Sequence, residues 1–280
     1  MPELPEVETT RRGIAPHIDQ QTIRECRIHF PTLRWPIPQD LAHRLAGHTI
    51  ETVQRRGKYL LLEVAEGWVI IHLGMSGSLR VLDKQTPLIK HDHFEIEFEN
   101  GLCLRLNDPR RFGAVLWQEK SDGDIQQHSL LRKLAPEPHN ETFNHDWLFN
   151  ALKRRKSPIK TVIMNSEVVV GAGNIYANES LFRSRIHPLT PANQLSPAQA
   201  EMLCANIKAV LAEAIAQGGT TLKDFIKPDG KPGYFAQNLD VYGRDQLPCH
   251  QCSHPIEKVI IAQRASFYCP QCQPKTPTPD

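Results

Sequence analysis

The sequence predicts an α+β fold, in which an N-terminal helix and an antiparallel β-sandwich precede a helical region and a cysteine-rich C-terminal segment. Short segments rich in Val, Ile, Leu and aromatic residues fill positions 49–119, separated by Gly, Asn or charged residues. Helical patterns follow a Pro-rich segment at 134–138, and two Cys-x-x-Cys pairs lie near the C-terminus. Strands and helices in separate stretches of a chain are typical of this fold class.

The composition excludes several classes of protein. The 280 residues include 33 Lys+Arg and 31 Asp+Glu, giving a net charge of +2, and 40% of them are hydrophobic. These values are typical of a globular chain long enough for two compact units. No apolar run approaches the roughly 18 residues of a membrane span, and the acidic MPELPEVETT does not resemble a signal peptide. We expect a reducing cytoplasm, with any nucleic-acid binding confined to local basic patches.

The first helix is predicted to begin within the first five residues. Pro5 suits a first helical turn, and apolar residues recur at near-helical spacing from Leu4 to Ile14. The strand segments after it are TIETVQR, KYLLLEV, WVIIHLG, SLRVL, HFEIEFE, LCLRLN and GAVLWQE. FEIEFE alternates apolar and acidic residues, and Asn100-Gly101 after it is a strong signal for a two-residue hairpin turn.

The N-terminus contains candidate catalytic groups. Removal of Met1 is expected because a small residue follows it, and this leaves Pro2 with a free secondary amine. An α-amino group has a pKa of about 8 against about 10.4 for lysine, so it is far more often nucleophilic near neutral pH. Such an amine suits Schiff-base chemistry, with Glu3 and Glu6 as candidate acid or base. In the alternative reading, the two glutamates only complement the helix dipole.

A basic run and an Arg-Arg-Phe loop are candidate contacts to nucleic acid. The run is KRRK at 153–156, joined by Lys160, and its alternative is a solvated face. The loop is DPRRFG at 108–113, where an aromatic ring beside arginines can act as a wedge between bases. The alternative for Phe112 is a buried ring beside a salt bridge.

Helical patterns dominate the second half of the chain. The longest spans 196–217, with Ser196 as N-cap, Gln199 completing a capping box and Gly218 just past the end. Before it, GAGNIYANES places a small-residue turn ahead of a helix, where backbone amides and Asn174 could bind an anion. A plain interhelical turn is the alternative. The predicted buried face of the long helix consists of Met202, Leu203, Ile207, Val210, Leu211, Ala214 and Ile215.

Four cysteines have the spacing of a zinc site. Two Cys-x-x-Cys pairs stand sixteen residues apart, and the segment between them can fold as a hairpin. Four thiolates leave no open coordination position, so we expect one structural Zn²⁺ rather than a catalytic one. A pair of disulfides is the alternative, which a reducing compartment disfavours. Cys26, Cys103 and Cys204 lie in apolar stretches and are expected in the core. The predicted zinc ligands are Cys249, Cys252, Cys269 and Cys272.

Taken together, the motifs resemble one known family over residues 1 to about 273. PELPEVET, GKYLLLE, HLGMSGSLR, DPRRFG, GAGNIYANESLF, GGTTLKDF, DGKPGYF and QRASFYCPQC occur in the order found in bacterial formamidopyrimidine-DNA glycosylases. The resemblance implies base excision repair of oxidised purines by a bifunctional DNA glycosylase and AP lyase that binds duplex DNA, acts as a monomer and lies with the nucleoid. It also implies strand cleavage by β,δ-elimination.

The resemblance also implies how the chain is divided. Residues 1–133 would form a catalytic β-sandwich domain, and residues 134–243 a helix-two-turn-helix domain whose loop 218–234 covers the everted base. Residues 244–273 would form the zinc finger, followed by a disordered tail at 274–280. DNA would lie in the cleft between the domains.

Site residues follow from the same resemblance. Pro2 would be the nucleophile at the sugar C1′ and Glu3 the acid that assists ring opening, with Glu6 supporting them. Lys58 would meet phosphate near the lesion, and Arg264, presented by the finger hairpin, would complete the catalytic set. DNA contacts are implied for His72, Met75, Arg110, Phe112, Lys160, Asn174, Tyr242 and Arg264, of which Met75, Arg110 and Phe112 fill the gap left by the flipped base.

Two other functions remain open from sequence. Endonuclease VIII-like enzymes remove oxidised pyrimidines on a similar scaffold, although the PELPEVET start and the long GGTTLKDF segment favour the purine branch. A zinc-finger DNA-binding protein without catalysis is the second alternative, but such a protein has no use for a free Pro2 followed by Glu3.

Overall fold

A computed structural model describes residues 2–218 and 239–275 of the chain. Met1, nearly all of the predicted loop at 218–234 and tail residues 276–280 lie outside this description. Two units contain the described residues: the first covers 2–132 with 217–218, and the second covers 133–216 with 239–275. Among the described residues, no helix has the length and apolar character needed to cross a membrane.

The first unit is a helix on a β-sandwich. Its elements are α1 (Leu4–Ile18), β1 (Ile23–Ile28), α2 (Leu41–Leu45), β2 (Thr52–Arg56), β3 (Tyr59–Val64), β4 (Gly67–His72), β5 (Ser78–Asp83), β6 (Asp92–Phe98), β7 (Leu102–Asn107) and β8 (Ala114–Glu119). The strands form two antiparallel sheets, with orders β1-β6-β7-β5 and β2-β3-β4-β8. The predicted sandwich and N-terminal helix are therefore confirmed.

The core of this unit lies between the two sheets and under α1. Val7 and Ile14 of α1 pack with Leu62 of one sheet and with Phe94 and Leu104 of the other, all at most 1% exposed. Burial of such side chains contributes about 1.5 to 3 kcal/mol each, which makes this shared cluster the main stabilising feature of the unit.

Strand β1 and helix α2 were not predicted. Three of the six residues of β1, Arg24, Glu25 and Arg27, are charged, so its sequence does not show the apolar pattern that predicts a strand. The charged residues are partly accounted for by pairing across the sheet, since Arg27 contacts Glu95 and Glu97 of β6 at 2.7 Å each. Helix α2 is only five residues long, too short for a helical period to be recognised.

Strand β6 is more buried than its alternating sequence suggests. Its glutamates point away from the core, yet Glu95 is only 3% exposed because Arg27 and Arg105 cover its carboxylate. The predicted hairpin after β6 is confirmed, but three residues, 99–101, form the turn instead of two. Gly101 has φ +84°, a left-handed conformation that glycine adopts without strain.

The second unit is helical, with a small hairpin at its C-terminal end. Its elements are α3 (His145–Leu152), α4 (Ile159–Ile163), α5 (Asn174–Arg183), α6 (Pro197–Ala216), β9 (Glu257–Ile261) and β10 (Arg264–Tyr268). Helix α6 packs against α3 and α5, and α5 also contacts β10. This arrangement places the first residues of α5 beside the hairpin.

Helix α6 begins as predicted and buries a narrower face than predicted. Gln199 N donates to Ser196 Oγ at 3.2 Å and Ser196 N donates to Gln199 Oε1 at 2.9 Å, which confirms the capping box. Met202, however, is 47% exposed and Ile215 is only half-buried. Both lie off the stripe that faces α3 and α5, so the prediction for these two side chains was wrong. The buried residues are Ala200, Leu203, Cys204, Ile207, Val210, Leu211 and Ala214.

Candidate functional site

Pro2 lies one residue before the N-cap of α1 and is buried. Glu3 is the N-cap residue, and its amide donates to Oε2 of Glu6 at 2.9 Å in a reciprocal capping box. The two glutamates are 1% and 2% exposed. A helix N-terminus carries partial positive charge, which stabilises buried carboxylates there. Both glutamates therefore complement the helix dipole, as the alternative reading expected, and the capping box, which was not predicted, holds the two carboxyl groups close to Pro2 in the chain.

Lys58 lies in a two-residue turn between β2 and β3. The register pairs Arg56 with Tyr59, so Gly57 and Lys58 form the turn, and Gly57 has φ +57°. Such left-handed positions in a hairpin turn favour glycine. The Lys58 ammonium is therefore carried on a tight turn between paired strands rather than on a long loop.

His72 is held as a neutral imidazole. Its ring packs against Tyr59, with centroids 4.9 Å apart, and its Nδ1 accepts a hydrogen bond from Gly74 N at 3.0 Å. Burial, assisted by the positive charges of Lys58 and Arg34, lowers the pKa of His72 from 6.5 to about 4. Because Nδ1 is the acceptor, the proton of the neutral ring sits on Nε2, which is then a donor.

The predicted wedge residues lie on two loops that are joined by hydrogen bonds. Met75 belongs to the loop between β4 and β5, and Arg110 and Phe112 to the loop between β7 and β8. Ser76 Oγ donates to Asp108 Oδ1 at 3.0 Å, and Arg110 N donates to Ser76 Oγ at 3.3 Å. The structure therefore brings the loops of all three predicted residues together.

Phe112 is exposed at the tip of its loop. Its side chain is 46% exposed, and the Arg110 guanidinium lies 5.0 Å from the ring centroid. The alternative of a buried ring is therefore wrong. The loop is anchored by Asp108, whose Oδ2 accepts from Gly113 N at 2.8 Å. A Cβ on Gly74 would lie 2.4 Å from backbone atoms of Phe112 and Gly113, so only glycine allows this approach of the loops.

In the second unit, three predicted residues converge at the start of β10. Asn174 Nδ2 and Lys160 Nζ both donate to the carbonyl oxygen of Ala265, each at 3.0 Å. Lys160 also donates to Ser266 Oγ at 2.5 Å. Arg264, the residue before this carbonyl, is exposed. The two donors therefore hold the strand that presents Arg264.

Lys160 was expected to join the basic run at 153–156, but the structure places it apart from that run. Its side chain is 1% exposed, whereas most of the run is exposed. A buried ammonium requires hydrogen-bond acceptors, and β10 provides the carbonyl of Ala265 and the hydroxyl of Ser266 more than 100 positions later in the chain. A direct contact of Lys160 with DNA stays a prediction.

Arg264 follows a strained turn. The register pairs Ile261 with Arg264, so Ala262 and Gln263 form a two-residue turn, with φ of +46° and +60°. Left-handed conformations are costly for residues other than glycine and persist only where the surrounding structure enforces them. The predicted hairpin is confirmed, and Arg264 lies one residue beyond its bend.

Tyr242 is positioned by a glutamate that the sequence reading missed. Glu179 of α5 is 1% exposed and accepts hydrogen bonds from the amides of Asp240, Val241 and Tyr242 at 2.8 to 3.0 Å. Burial raises the pKa of this carboxyl, and the three amides act in the opposite direction. The Tyr242 ring packs edge-on against Phe267 at 5.2 Å. The only signal in the sequence was an acidic residue on the apolar face of GNIYANES.

The four predicted zinc ligands lie together. Their sulfur atoms are all within 4.8 Å of one another, including Cys249 to Cys272 at 3.9 Å and Cys252 to Cys269 at 3.4 Å. These distances are too long for disulfide bonds. They fit a tetrahedral Zn²⁺, whose bonds of about 2.3 Å place sulfurs about 3.8 Å apart. Cys26, Cys103 and Cys204 are buried as expected.

Comparison with known proteins gives a consistent result over nearly the whole chain. Three domain families match it: the formamidopyrimidine-DNA glycosylase N-terminal domain at residues 1–115, the formamidopyrimidine-DNA glycosylase H2TH domain at 134–226, and the zinc finger found in FPG and IleRS at 246–275. The chain is 56% identical over 273 residues to a formamidopyrimidine-DNA glycosylase of Hydrogenovibrio crunogenus, covering 98% of this chain and 96% of that relative. It is 54% identical to one of Saccharophagus degradans, covering 98% and 100%.

Solved structures show the same similarity. The MutM (Fpg) protein of Thermus thermophilus superposes with a TM-score of 0.88 at 37% identity, over 99% of this chain and 100% of that one. Lactococcus lactis Fpg in complex with abasic-site DNA has a TM-score of 0.90 at 33% identity, over 98% and 100%.

Proposed function

Because the chain belongs to the formamidopyrimidine-DNA glycosylase family, we propose that it excises 8-oxoguanine and formamidopyrimidines from duplex DNA and then cleaves the strand. Pro2, Glu3 and Glu6 carry this proposal, since a secondary amine released by removal of Met1 would be followed within four residues by two buried carboxyl groups. That combination supplies a nucleophile and a proton donor within one short segment.

Pro2 is the proposed nucleophile. Its nitrogen forms a bond to the sugar C1′ while the bond from C1′ to the base breaks, and the base leaves with the proton that the amine nitrogen gives up. Glu3 protonates the sugar ring oxygen as the ring opens, which leaves an iminium between Pro2 and C1′. The iminium acidifies the C2′ hydrogen, so β-elimination and then δ-elimination expel the two phosphates. Hydrolysis of the iminium returns the free amine.

The remaining site residues are assigned to DNA. Lys58, His72, Asn174 and Arg264 would contact phosphates, with His72 as a neutral donor. Met75, Arg110 and Phe112 would fill the space left when the damaged base is extruded, a step that costs a few kcal/mol and needs a plug. The exposure of Phe112 and the joined loops support this assignment. Lys160 and Tyr242 would support neighbouring contacts to the DNA backbone.

One Zn²⁺ held by the four cysteines would have a structural role. Cys249 and Cys269 pack with Ile256 and Phe267 against Phe182 and Val241, so the ion would fasten the finger to the helical unit. A four-thiolate set has no position for substrate, so no reaction step is assigned to the metal.

Two alternatives make different predictions. Lactococcus lactis Fpg has also been crystallised with DNA that contains an oxidised pyrimidine, and a pyrimidine-directed enzyme would prefer such a substrate. A non-catalytic zinc-finger protein would bind DNA without cutting it, and it would have no need of the glycosylase N-terminal domain that matches residues 1–115.

We also propose that the enzyme acts as a monomer on chromosomal DNA in the cytoplasm.

Borohydride trapping tests the proposal directly. Incubation with an 8-oxoguanine duplex and borohydride should reduce the iminium and link DNA to the protein, and peptide mapping should place the adduct on residue 2. A form that retains Met1 is the matched control, and it should bind lesion DNA without cutting or cross-linking it. Normal excision by that form, or an adduct on a lysine such as Lys58, would overturn the mechanism.

A further inference from the structure

An ion cluster centred on the buried Glu8 and Arg55 joins α1 to the turn that carries Lys58. Glu8 of α1 is 7% exposed, and its carboxylate accepts hydrogen bonds from Arg11, Arg12 and Arg55. Arg55 belongs to β2, 47 positions away in the chain, and its Nε donates to Glu8 Oε2 at 2.9 Å. The contact is therefore a tertiary one, between the helix that begins next to Pro2 and the strand that leads to Lys58.

Arg55 also donates a hydrogen bond to the turn that carries Lys58. Its Nη1 donates to the carbonyl oxygen of Gly57 at 3.0 Å, and this carbonyl belongs to the peptide that joins Gly57 to Lys58. The side chain of Arg55 is only 6% exposed, so little freedom remains for it to lie elsewhere. One guanidinium thus connects a carboxylate on α1 to the backbone directly before Lys58.

We propose that Glu8 and Arg55 are positioning residues, which set the Lys58 turn relative to the N-terminal helix and thereby place the Lys58 ammonium against DNA phosphate. This inference rests on the proposed function, because it concerns the phosphate contact of Lys58. Glu8 and Arg55 themselves do not touch the substrate in this mechanism.

The charge state of Glu8 supports a fixed geometry. Burial raises the pKa of its carboxyl, but the hydrogen bonds from Arg11, Arg12 and Arg55 outweigh burial and lower the pKa to about 2. Glu8 is therefore ionised throughout the working range, and its bonds to the arginines are charge-assisted. Such bonds are shorter and stronger than neutral ones, which suits a rigid joint.

Substitution of Glu8 distinguishes a positioning role from a simple electrostatic effect on DNA binding. Glu8→Gln removes a negative charge, so a long-range field effect alone predicts tighter binding of DNA. The positioning role predicts the opposite, because Gln cannot hold three guanidinium groups and the Lys58 turn is released. We expect the Kd for an uncleavable abasic-site duplex to rise about tenfold, as for the loss of one hydrogen bond to a charged group.

Arg12→Ala is the matched control. Arg12 donates to the same carboxylate at 2.8 Å, but its side chain is 59% exposed and it bonds to Glu8 rather than to the turn. Its removal should change the Kd less than about twofold, as is usual for an exposed ion pair. Arg55→Lys gives a second test that preserves charge, since one ammonium cannot span both Glu8 and Gly57 O. It should weaken binding as much as Glu8→Gln does.

A double-mutant comparison with Lys58→Ala decides the matter. If Glu8 acts through Lys58, Glu8→Gln should have little further effect on Kd once the Lys58 side chain is gone. Equal losses in both backgrounds, tighter binding by Glu8→Gln, or full binding by Arg55→Lys would each overturn the inference. Thermal unfolding of each variant identifies any loss of fold, and Arg55→Lys serves if Glu8→Gln does not fold.

The two proposals can fail separately. Cleavage of an 8-oxoguanine duplex by the wild-type protein tests the proposed function. The binding measurements use a duplex that is not cut, so they test the joint between Glu8 and Lys58 independently of catalysis.

Discussion

Glu3 has two roles at the residue scale, and a single substitution separates them. It begins α1 as the N-cap, and in the proposed mechanism it also donates the proton that opens the sugar ring. The amide of glutamine retains an oxygen for the cap but has no acidic proton. The helix should therefore tolerate the change while the chemistry does not.

Glu3→Gln is accordingly predicted to slow base excision by on the order of 100-fold, the usual size of a general acid contribution. Single-turnover kinetics with an 8-oxoguanine duplex measures this rate. The Kd for the same duplex and the melting temperature should stay close to wild type, and a loss of stability equal to the loss of rate would point to the cap instead.

His72 is predicted to make stability depend on pH. Its pKa is about 4 in the folded chain and about 6.5 when unfolded. Between these values the unfolded chain binds a proton that the folded chain does not, so the free energy of unfolding falls as pH drops from 6.5 to 4. The loss is up to about 3 kcal/mol. Urea unfolding of wild type and His72→Gln across this range should show a smaller loss in the variant.

The same neutral state predicts a specific pattern of salt dependence in DNA binding. His72→Gln removes an uncharged donor and should weaken binding while leaving the slope of log K against log salt unchanged. Arg264→Ala removes a cation and should reduce that slope by about 1. Titrations at several salt concentrations measure both, and a reduced slope for His72→Gln would show that the imidazole binds phosphate as a cation.

At the scale of elements, the two wedge loops behave as one part. Asp108 and Ser76 tie them by hydrogen bonds, and Gly74 allows their backbones to touch. A wedge that enters the DNA must resist displacement by the stacked bases, and short loops anchored to strands at both ends provide that resistance. The exposed Phe112 ring is therefore supported by the sandwich rather than by its own loop alone.

Phe112→Ala is predicted to weaken processing of lesions more than binding of undamaged DNA. The ring stabilises only the state with the base extruded, by about 1 to 3 kcal/mol if base stacking is the guide. Met202→Ala is the matched control, since Met202 is equally exposed but lies on α6. The ratio of kcat/KM on lesion DNA to the affinity for undamaged duplex measures the effect. An equal loss on lesion DNA and undamaged DNA would show that Phe112 does not act as a wedge.

At the scale of the whole molecule, we propose that a zinc ion at the four cysteines stabilises the part of the second unit that carries Arg264. Cys249, Cys269, Ile256 and Phe267 share an apolar cluster with Phe182 and Val241, and Cys272 packs against it, so the finger has a small core that includes residues outside it. Lys160 and Asn174 then fix β10 by hydrogen bonds to Ala265.

Removal of zinc is predicted to unfold the finger and reduce DNA affinity about tenfold or more, because Arg264 loses its position. Cys252→Ser should have the same effect, whereas Cys204→Ala, which changes a buried thiol outside the cluster, should retain one zinc per chain. Metal analysis with a DNA-binding titration checks both. Full affinity and a folded finger in Cys252→Ser would contradict the structural role.

The sequence by itself determined the features that depend on neighbouring residues. Strand periodicity predicted seven of the eight strands of the sandwich, and the Ser196 capping box and the cysteine spacing predicted the start of α6 and the sulfur cluster. Hydrogen bonds within one turn, alternation along a strand and paired Cys-x-x-Cys turns are local, so they can be read directly from the order of residues.

Only the tertiary structure decided where the charged side chains lie. Lys160 looked like part of a basic run but is buried beneath β10, Glu8 reaches Arg55 across 47 positions, and Glu179 binds amides more than 60 positions later. The charged segment β1 was recognised as a strand only from its pairing with β6 in the structure. The physical reason is that a buried charge needs partners, and nothing in the local sequence says which distant segment will provide them.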